Sequence, residues 1–301
     1  MLHNAPQPLQ HILAATDLSP SATLATRRAA MLASSASGEM RLLHVLNTGL
    51  MDDLRTWLKT EARWQDTLHR QAKQALGAEA QALTDATGVA VEVAVVDGQP
   101  VQHITEVANA WPADLLVVGA RGENPLHHLL IGTTSERLLG KARKPLLLVR
   151  TEPQEPYQHV LVALDFSVWS ESAITLARTV APGAHLVLMH SFSIPFEEKL
   201  RFAGVDDDTL SHYREQARNA GRDHLQALVD RHGLRAEEFT LSLSEGDAPM
   251  HILSVAAERN CDLIVIGKHG RQAAEELLLG SVTRHVLTEA ECDVLVSTHR
   301  E

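Results

Sequence analysis

Gly119-Ala-Arg-Gly122-Glu-Asn-Pro-Leu-His-His-Leu-Leu-Ile-Gly132-Thr133 is the stretch that decides how this chain reads. It follows the apolar run 115–118 and precedes a helical pattern starting near Thr134. Its spacing is Gly, two residues, Gly, nine residues, Gly-Thr. The same spacing returns at Gly267, Gly270, Gly280 and Ser281, again after an apolar run, 263–266. Each glycine of one copy lies 148 positions from its counterpart. An apolar run, a turn and a helix in succession mark a buried strand leaving a sheet at its carboxyl end. Glycine in that turn permits positive φ and lets a ligand come close. The helix opened by Gly132 or Gly280 has first-turn amides without intrahelical partners. Together with the hydroxyl of Thr133 or Ser281, those amides suit an anion such as a phosphate. A plain connecting turn is the alternative. Two copies in one register, each between a strand and a helix, weigh against it.

The repeat extends beyond the glycines. His11 pairs with His159, Asp17 with Asp165, Gly98 with Gly246, His103 with His251 and Asp114 with Asp262. The first half reads as strands at 11–15, 40–46, 89–96, 113–119 and 145–149. Helices fall between them at 19–35, 52–86, 101–110 and 133–141. The second half repeats the order, with strands at 159–164, 185–190, 239–243, 262–267 and 294–297. Its helices run from Ser167 to about 180, from Asp207 or Asp208 to about 232, and over 249–259 and 281–289. The stretch 193–204, with Pro195 and several aromatics, reads as irregular. Strands alternating with helices imply an α/β fold with parallel sheets covered on both faces. The domains are 1–150 and 158–301, joined by a proline-bearing linker at 151–157. In such sheets ligands bind at the carboxyl edge where strand order reverses. Asp17 and Gly119 both end predicted strands, and they flank one crevice if strands one and four are neighbours.

Composition narrows the function classes. A length of 301 residues suits about two domains. No apolar run approaches the ~20 residues of a membrane span. Residues 1–10 lack the basic-then-apolar pattern of a secretion signal. Cys261 and Cys292, the two cysteines, form no CxxC pair and read as buried free thiols, so a reducing cytoplasm is expected. The net charge of −11 lies in the second half. Residues 1–150 hold 14 of the 38 acidic and 14 of the 27 basic side chains, leaving 24 and 13 for residues 151–301. Clustered positive charge, the mark of a nucleic-acid surface, is missing from this pattern.

With these residues in view the chain resembles the universal stress proteins in their tandem two-domain form. The resemblance rests on Asp17 and Asp165, on 114–119 and 262–267, and on the complete glycine motif in each half, which marks the family's ATP-binding branch. It implies five-stranded Rossmann-like sheets of order 3-2-1-4-5, packed as a pseudo-dimer through their fifth strands. It also implies a site for ATP, or ADP or AMP, with Mg2+ or Mn2+. Asp17 would hold the ribose or lie near the metal-bound phosphates, with Thr16 on the same edge. Val45 would meet adenine through its backbone, and Val118 and Gly119 would underlie the sugar. Gly122, Gly132, Thr133 and Thr134 would hold phosphates. The second-half equivalents are Asp165, Ile266, Gly267, Gly270, Gly280, Ser281 and Val282. Two positions depart from the pattern. Ser191 stands where the first half has Val45, and Asp293 replaces the proline present as Pro145.

Other readings compete at several of these residues. Asp17 and Asp165 are alternatively N-caps of the next helix. Arg121 and the Lys268-His269 pair are candidates for neutralising phosphate, or are loop charges without a specific role. His127-His128 lacks the convergent ligands a structural zinc requires. Trp57 and Trp64 read as packing residues. Phosphoryl transfer needs metal, a cationic clamp and an oriented nucleophile, and the chain has no G-x4-G-K-[ST] and no H-R-D. The expected function is therefore a cytoplasmic nucleotide-binding regulator without rapid turnover. A slow ATPase or phosphotransferase and a nucleotide-free interaction scaffold are the competing classes. The first half, with Val45 and no net charge, is expected to be the tighter site, and whole chains are expected to dimerise.

Overall fold

A computed structural model describes residues 8–47, 63–120, 132–194, 197–270 and 279–298. The first half runs β1 (His11–Ala15), α1 (Pro20–Ala36), β2 (Glu39–Asn47), α2 (Arg63–Thr87) and β3 (Val91–Gly98). It continues with α3 (Pro100–Ala110), β4 (Leu115–Gly119), α4 (Thr133–Lys141) and β5 (Leu146–Val149). The second half runs β6 (His159–Ala163), α5 (Val168–Val180), β7 (His185–Phe192), α6 (Glu197–Phe202) and α7 (Asp207–His232). It closes with β8 (Phe239–Glu245), α8 (Ala248–Glu258), β9 (Leu263–Gly267), α9 (Ser281–Glu289) and β10 (Asp293–Ser297).

All ten strands form one sheet, ordered β3-β2-β1-β4-β5-β10-β9-β6-β7-β8. Each half is parallel with the expected order 3-2-1-4-5. The halves meet antiparallel, Leu146–Leu148 against Val294–Val296. Left apart, each half would expose an apolar edge of unpaired amides and carbonyls; pairing removes both. Side chains alternate across the junction. Leu146, Leu148, Val294 and Val296 feed the core on one face, while Leu147, Val149 and Leu295 feed the other. Both cores run through both halves. Among the described residues, no helix is long and apolar enough to cross a membrane.

Repeated polar residues fix where strands begin. Asp114 Oδ2 accepts from the amides of Gln10 and His11, and the Asp262 carboxylate accepts from Gln158 and His159. The aspartate ahead of strand four thus anchors the start of strand one in each half. Ser19 and Ser167 cap α1 and α5 as their positions suggest. The expectation for α7 needs correction, because Asp206 rather than Asp207 or Asp208 is its cap, accepting from the Thr209 amide. The stretch expected to be irregular contains α6. Its first turn carries Glu197 and Glu198 and its last Lys199 and Arg201, which suits the helix dipole, and Glu197 also binds Arg214. The 148-residue offset is not uniform either. Ala15 pairs with Leu43 but Ala163 with Met189, an offset of 146 in strand two. The counterpart of His44 is therefore His190, and that of Val45 is Ser191.

Asp293 is the most consequential departure. It is fully buried. Its Oδ1 accepts from the amides of Arg150 and Thr151 and from the Thr151 hydroxyl. Its Oδ2 accepts from the Tyr157 hydroxyl at 2.6 Å and faces Arg28 Nε at 3.5 Å. Arg28 lies over the Tyr157 ring and donates to the Glu155 carbonyl. Where the first half has Pro145, the second has a carboxylate that fastens the linker onto the sheet. Burial and the neighbouring Asp293 push the Tyr157 phenol well above its usual 10.0. Burial likewise pushes the free thiols of Cys261 and Cys292 up to about 11 and about 12.

Two outcomes follow. Asp293→Ala strands Arg28 and the linker amides, and we expect it to lower unfolding free energy by about 3–5 kcal/mol in denaturant titration. Above their ordinary value of 9.0 the thiols ionise first in the unfolded chain. Their stabilising contribution is complete below pH 9.0 and is lost as pH rises towards 11 to 12. Melting temperature should fall across that window, less steeply in a Cys261→Ala, Cys292→Ala variant. Identical slopes would show that the thiols do not titrate differently on folding.

Candidate functional site

β1 and β4 are neighbours, with Ala15 level with Val118, so Asp17 and Gly119 border one crevice at the carboxyl edge. β6 and β9 repeat this with Asp165 and Gly267. The residue after each aspartate, Leu18 or Phe166, holds φ of 66° or 61°. Bulky side chains rarely adopt that conformation, and such strain concentrates at functional turns. Asp17 Oδ1 accepts from the Ser19 amide at 3.0 Å, and Asp165 Oδ1 from the Ser167 amide at 3.0 Å. The aspartates are therefore not N-caps; they brace the turn ahead of the caps. Thr16 helps by accepting from the Leu18 amide. Asp165 also accepts from the Ser167 hydroxyl at 2.6 Å.

None of the described motif glycines adopts positive φ, which corrects the first reason given for them. Their reason is space. A Cβ on Gly119 would sit 2.9 Å from the Ser21 carbonyl oxygen, and one on Gly267 3.1 Å from Trp169 Cβ. These two glycines let strand four end against the first turn of α1 or α5. A Cβ on Gly270 would lie 3.1 Å from Asp165 Oδ2, and one on Gly280 would lie 3.7 Å from the Gly270 nitrogen. Asp165, Gly270 and Gly280 thus converge, although 115 residues separate the first from the last. Gly132 and Gly280 stand at the N-cap positions of α4 and α9, and neither helix receives a side-chain cap there. Both amino ends keep donors available for an anion.

The remaining expected residues fall around this edge. Val118 and Ile266 are buried beneath the crevice, while Ser281 and Thr134 are exposed and Val45 and Val282 half-buried. Arg121 and Gly122, the His127-His128 pair, Trp57 and the side chains of Trp64 and Thr133 lie outside the description. Lys268 requires correction as a phosphate neutraliser. It is buried, and its Nζ donates to the carbonyls of Gly140 and Ala142 in the other half. His269 is buried edge-on against Trp169, 5.0 Å between ring centres. Among the described residues, no three His, Cys, Asp or Glu side chains gather as a metal site.

Three contacts escaped the sequence reading. Ser135 and Thr283 donate to the carbonyls of Gly119 and Gly267 and fix each cradle helix to its strand. They sit at the repeat offset, a signal that was available. His44 and His190 place Nδ1 2.8 and 2.7 Å from the carbonyls of Thr16 and Leu164, so Nδ1 carries the proton. The residues align beside Val45 and Ser191, but nothing in the sequence shows that their rings reach back to strand one. Phe166 stacks on His224 and lies tilted against His190, whereas Leu18 is partly exposed.

The family model described as the universal stress protein family matches residues 8–150 and again 156–298. The chain belongs to the universal stress protein family. A universal stress protein of Mycobacterium tuberculosis is 27% identical over 277 residues, covering 86% of each chain. One from Mycolicibacterium smegmatis is 26% identical over 292 residues, covering 95% of this chain and 96% of its own. The crystal structure of a universal stress protein from Archaeoglobus fulgidus superposes with a TM-score of 0.71 at 21% identity. It covers 95% of this chain and 97% of that one. A Pseudomonas aeruginosa protein titled as functionally unknown superposes at 0.65 and 21% identity, covering 98% and 94%. These likenesses support the fold of a tandem universal stress protein.

The glycine contacts separate by kind. Gly119→Ala forces backbone apart and is expected to cost about 1–3 kcal/mol. Gly77→Ala, mid-helix with nothing within 4 Å, is expected to gain about 0.5–1 kcal/mol. Unfolding curves of the two variants check this, and equal shifts would remove the close-packing account of Gly119.

Proposed function

We propose that this universal stress protein is a regulatory protein that binds an adenine nucleotide in two cradles without rapid turnover. The observation that carries the reading is the convergence of Asp165, Gly270 and Gly280 beside an uncapped helix start. A carboxylate next to bare amides and side-chain-free space suits a ribose or metal-bound phosphate at one end and phosphate oxygens along the glycines. The residues therefore fit ATP with Mg2+ or Mn2+, the metal balancing phosphate charge. Asp17 or Asp165 would face the ribose or the metal-bound phosphates. The first-turn amides of α4 or α9 would receive phosphate, and Thr133 or Ser281 would add a hydroxyl.

The regulatory reading draws on Lys268. Phosphoryl transfer wants a mobile cation over the transferring group, and the one lysine inside a motif is engaged across the domain junction. The first cradle is the tighter of the two in this reading. Ser191 donates to the Gly246 carbonyl where the first half has Val45. Asp165 Oδ1 is also held by two donors from Ser167, which leaves that carboxylate less free to turn towards a ligand than Asp17, whose Oδ1 takes the single Ser19 amide. The acidic second half adds a mild repulsion, largely screened beyond about 8 Å at physiological salt.

Binding and turnover test this separately. Titration with Mg-ATP should find two sites per chain. Gly132→Val should remove the tighter and Gly280→Val the weaker, each variant first shown to be folded by its melting curve. Loss in the reverse order would overturn the ranking, and unchanged binding in both would overturn the cradles. Turnover should stay well below about 1 s⁻¹, the low end of ordinary enzymes. A faster rate abolished by the Asp17→Ala, Asp165→Ala variant would make the protein an enzyme.

A further inference from the structure

The two cradles are joined by a closed ring of contacts through the domain junction. Lys268 lies in the second cradle. Its amide donates to Ser297, and its carbonyl accepts from the Gly280 amide at 3.1 Å. Its side chain leaves that half. The buried ammonium donates at 3.0 and 3.2 Å to the carbonyls of Gly140 and Ala142, at the carboxyl end of α4. α4 is nine residues long, about 13 Å at 1.5 Å per residue, and its other end is the first cradle at Gly132. A cation from the second site therefore rests on the negative pole of the helix whose positive pole faces the first.

The return path is built from different residues. The Gly132 amide donates to the Ala120 carbonyl, and the Ala120 amide to Val149. Next in sequence, the Arg150 guanidinium donates to the Leu287 carbonyl in the last turn of α9, the helix that opens at Gly280. Each cradle helix thus has its carboxyl end held by a cation from the other half. The internal repeat does not explain this arrangement, because Lys268 aligns with Ala120 and Arg150 with Thr298. Thr298 does cross the junction, donating to the Arg143 carbonyl. Of the two cations that cross the junction, Lys268 lies within a glycine turn and Arg150 just after β5.

We propose that Lys268 is a positioning residue that couples the two cradles, so that nucleotide in one half tightens binding in the other. This rests on the nucleotide reading above. A ligand on the first-turn amides of α9 fixes the helix start at Gly280, whose own amide is held by the Lys268 carbonyl, and so fixes Lys268. The fixed ammonium then holds α4 and its amino end in the arrangement the first ligand needs. The second ligand has less ordering left to supply, which gives positive coupling. Coupling of binding is reciprocal, so Arg150 and Lys268 serve one equilibrium rather than two.

A double-mutant cycle tests it on the full chain. Mg-ATP affinity of the first cradle is measured by calorimetric titration in wild type and in Gly280→Val, then in Lys268→Met and Lys268→Met, Gly280→Val. In the wild-type background, blocking the second cradle should weaken the first about five- to tenfold, within the usual range of site coupling. In the Lys268→Met background it should change affinity less than about twofold, and Lys268→Arg should restore the coupling. A residue that merely stabilises the fold would shift the melting temperature and leave the cycle unchanged. An affinity in wild type indifferent to Gly280→Val, or a coupling that survives Lys268→Met, overturns the proposal while leaving two nucleotide sites standing. Failure of wild type to bind Mg-ATP overturns the nucleotide reading and the coupling with it. Should Lys268→Met fail to fold, Arg150→Met enters the same cycle as the other arm of the ring, with the same outcomes expected.

Discussion

The antiparallel pairing of β5 with β10 is the contact on which the rest depends. It joins two five-stranded parallel sheets into one and lets the apolar cores on both faces run uninterrupted across the junction. It also brings the carboxyl ends of the cradle helices within reach of the opposite half. Without it, Lys268, Arg150 and Asp293 would each be a polar group lacking the partners described here. Isolated buried charge is costly, so the polar contacts across the junction and the strand pairing depend on one another.

Much of this was legible in the sequence. Continuous apolar runs such as 115–118 and 263–266 carry strand positions, because a strand covered on both faces has no polar side. The strand-one aspartate, the glycine spacing and the offset of 148 located the crevice. Properties of single side chains in their surroundings were not legible. Lys268 reads as a loop cation, and only the packed structure shows its long stem directed away from the turn. Asp293 reads as a missing proline, yet it accepts four hydrogen bonds at and beside the linker and faces Arg28. His190 aligns with His44 in the sequence, yet its contact with the Leu164 carbonyl depends on packing that the sequence does not display. Turn geometry was misjudged as well. Strain sits at Leu18 and Phe166, whose side chains give no hint of it, while the motif glycines serve close approach.

The halves share an architecture but differ in the surroundings of their aspartates. The first site has Leu18 partly exposed and a single Ser19 amide on Asp17 Oδ1. The second has Phe166 in contact with two histidine rings, a tryptophan beside the strand end, and a carboxylate held twice by Ser167. Identical backbone turns therefore present unlike walls to whatever enters them.

The one-sided residues at the junction have a genetic consequence. In a dimer of identical chains, every substitution appears on both sides of the symmetry axis, so a residue useful on one side must be tolerated on the other. Here the partners are encoded in tandem, and a change is made once. An aspartate in place of a proline can fasten one linker without a second copy having to find partners. A lysine can enter one glycine turn while its counterpart stays alanine. Covalent connection also makes the pairing independent of protein concentration, so neither half must keep a surface that recognises free copies of itself. A fused pair of this kind is free to divide roles between its halves at a rate that a symmetric pair cannot match.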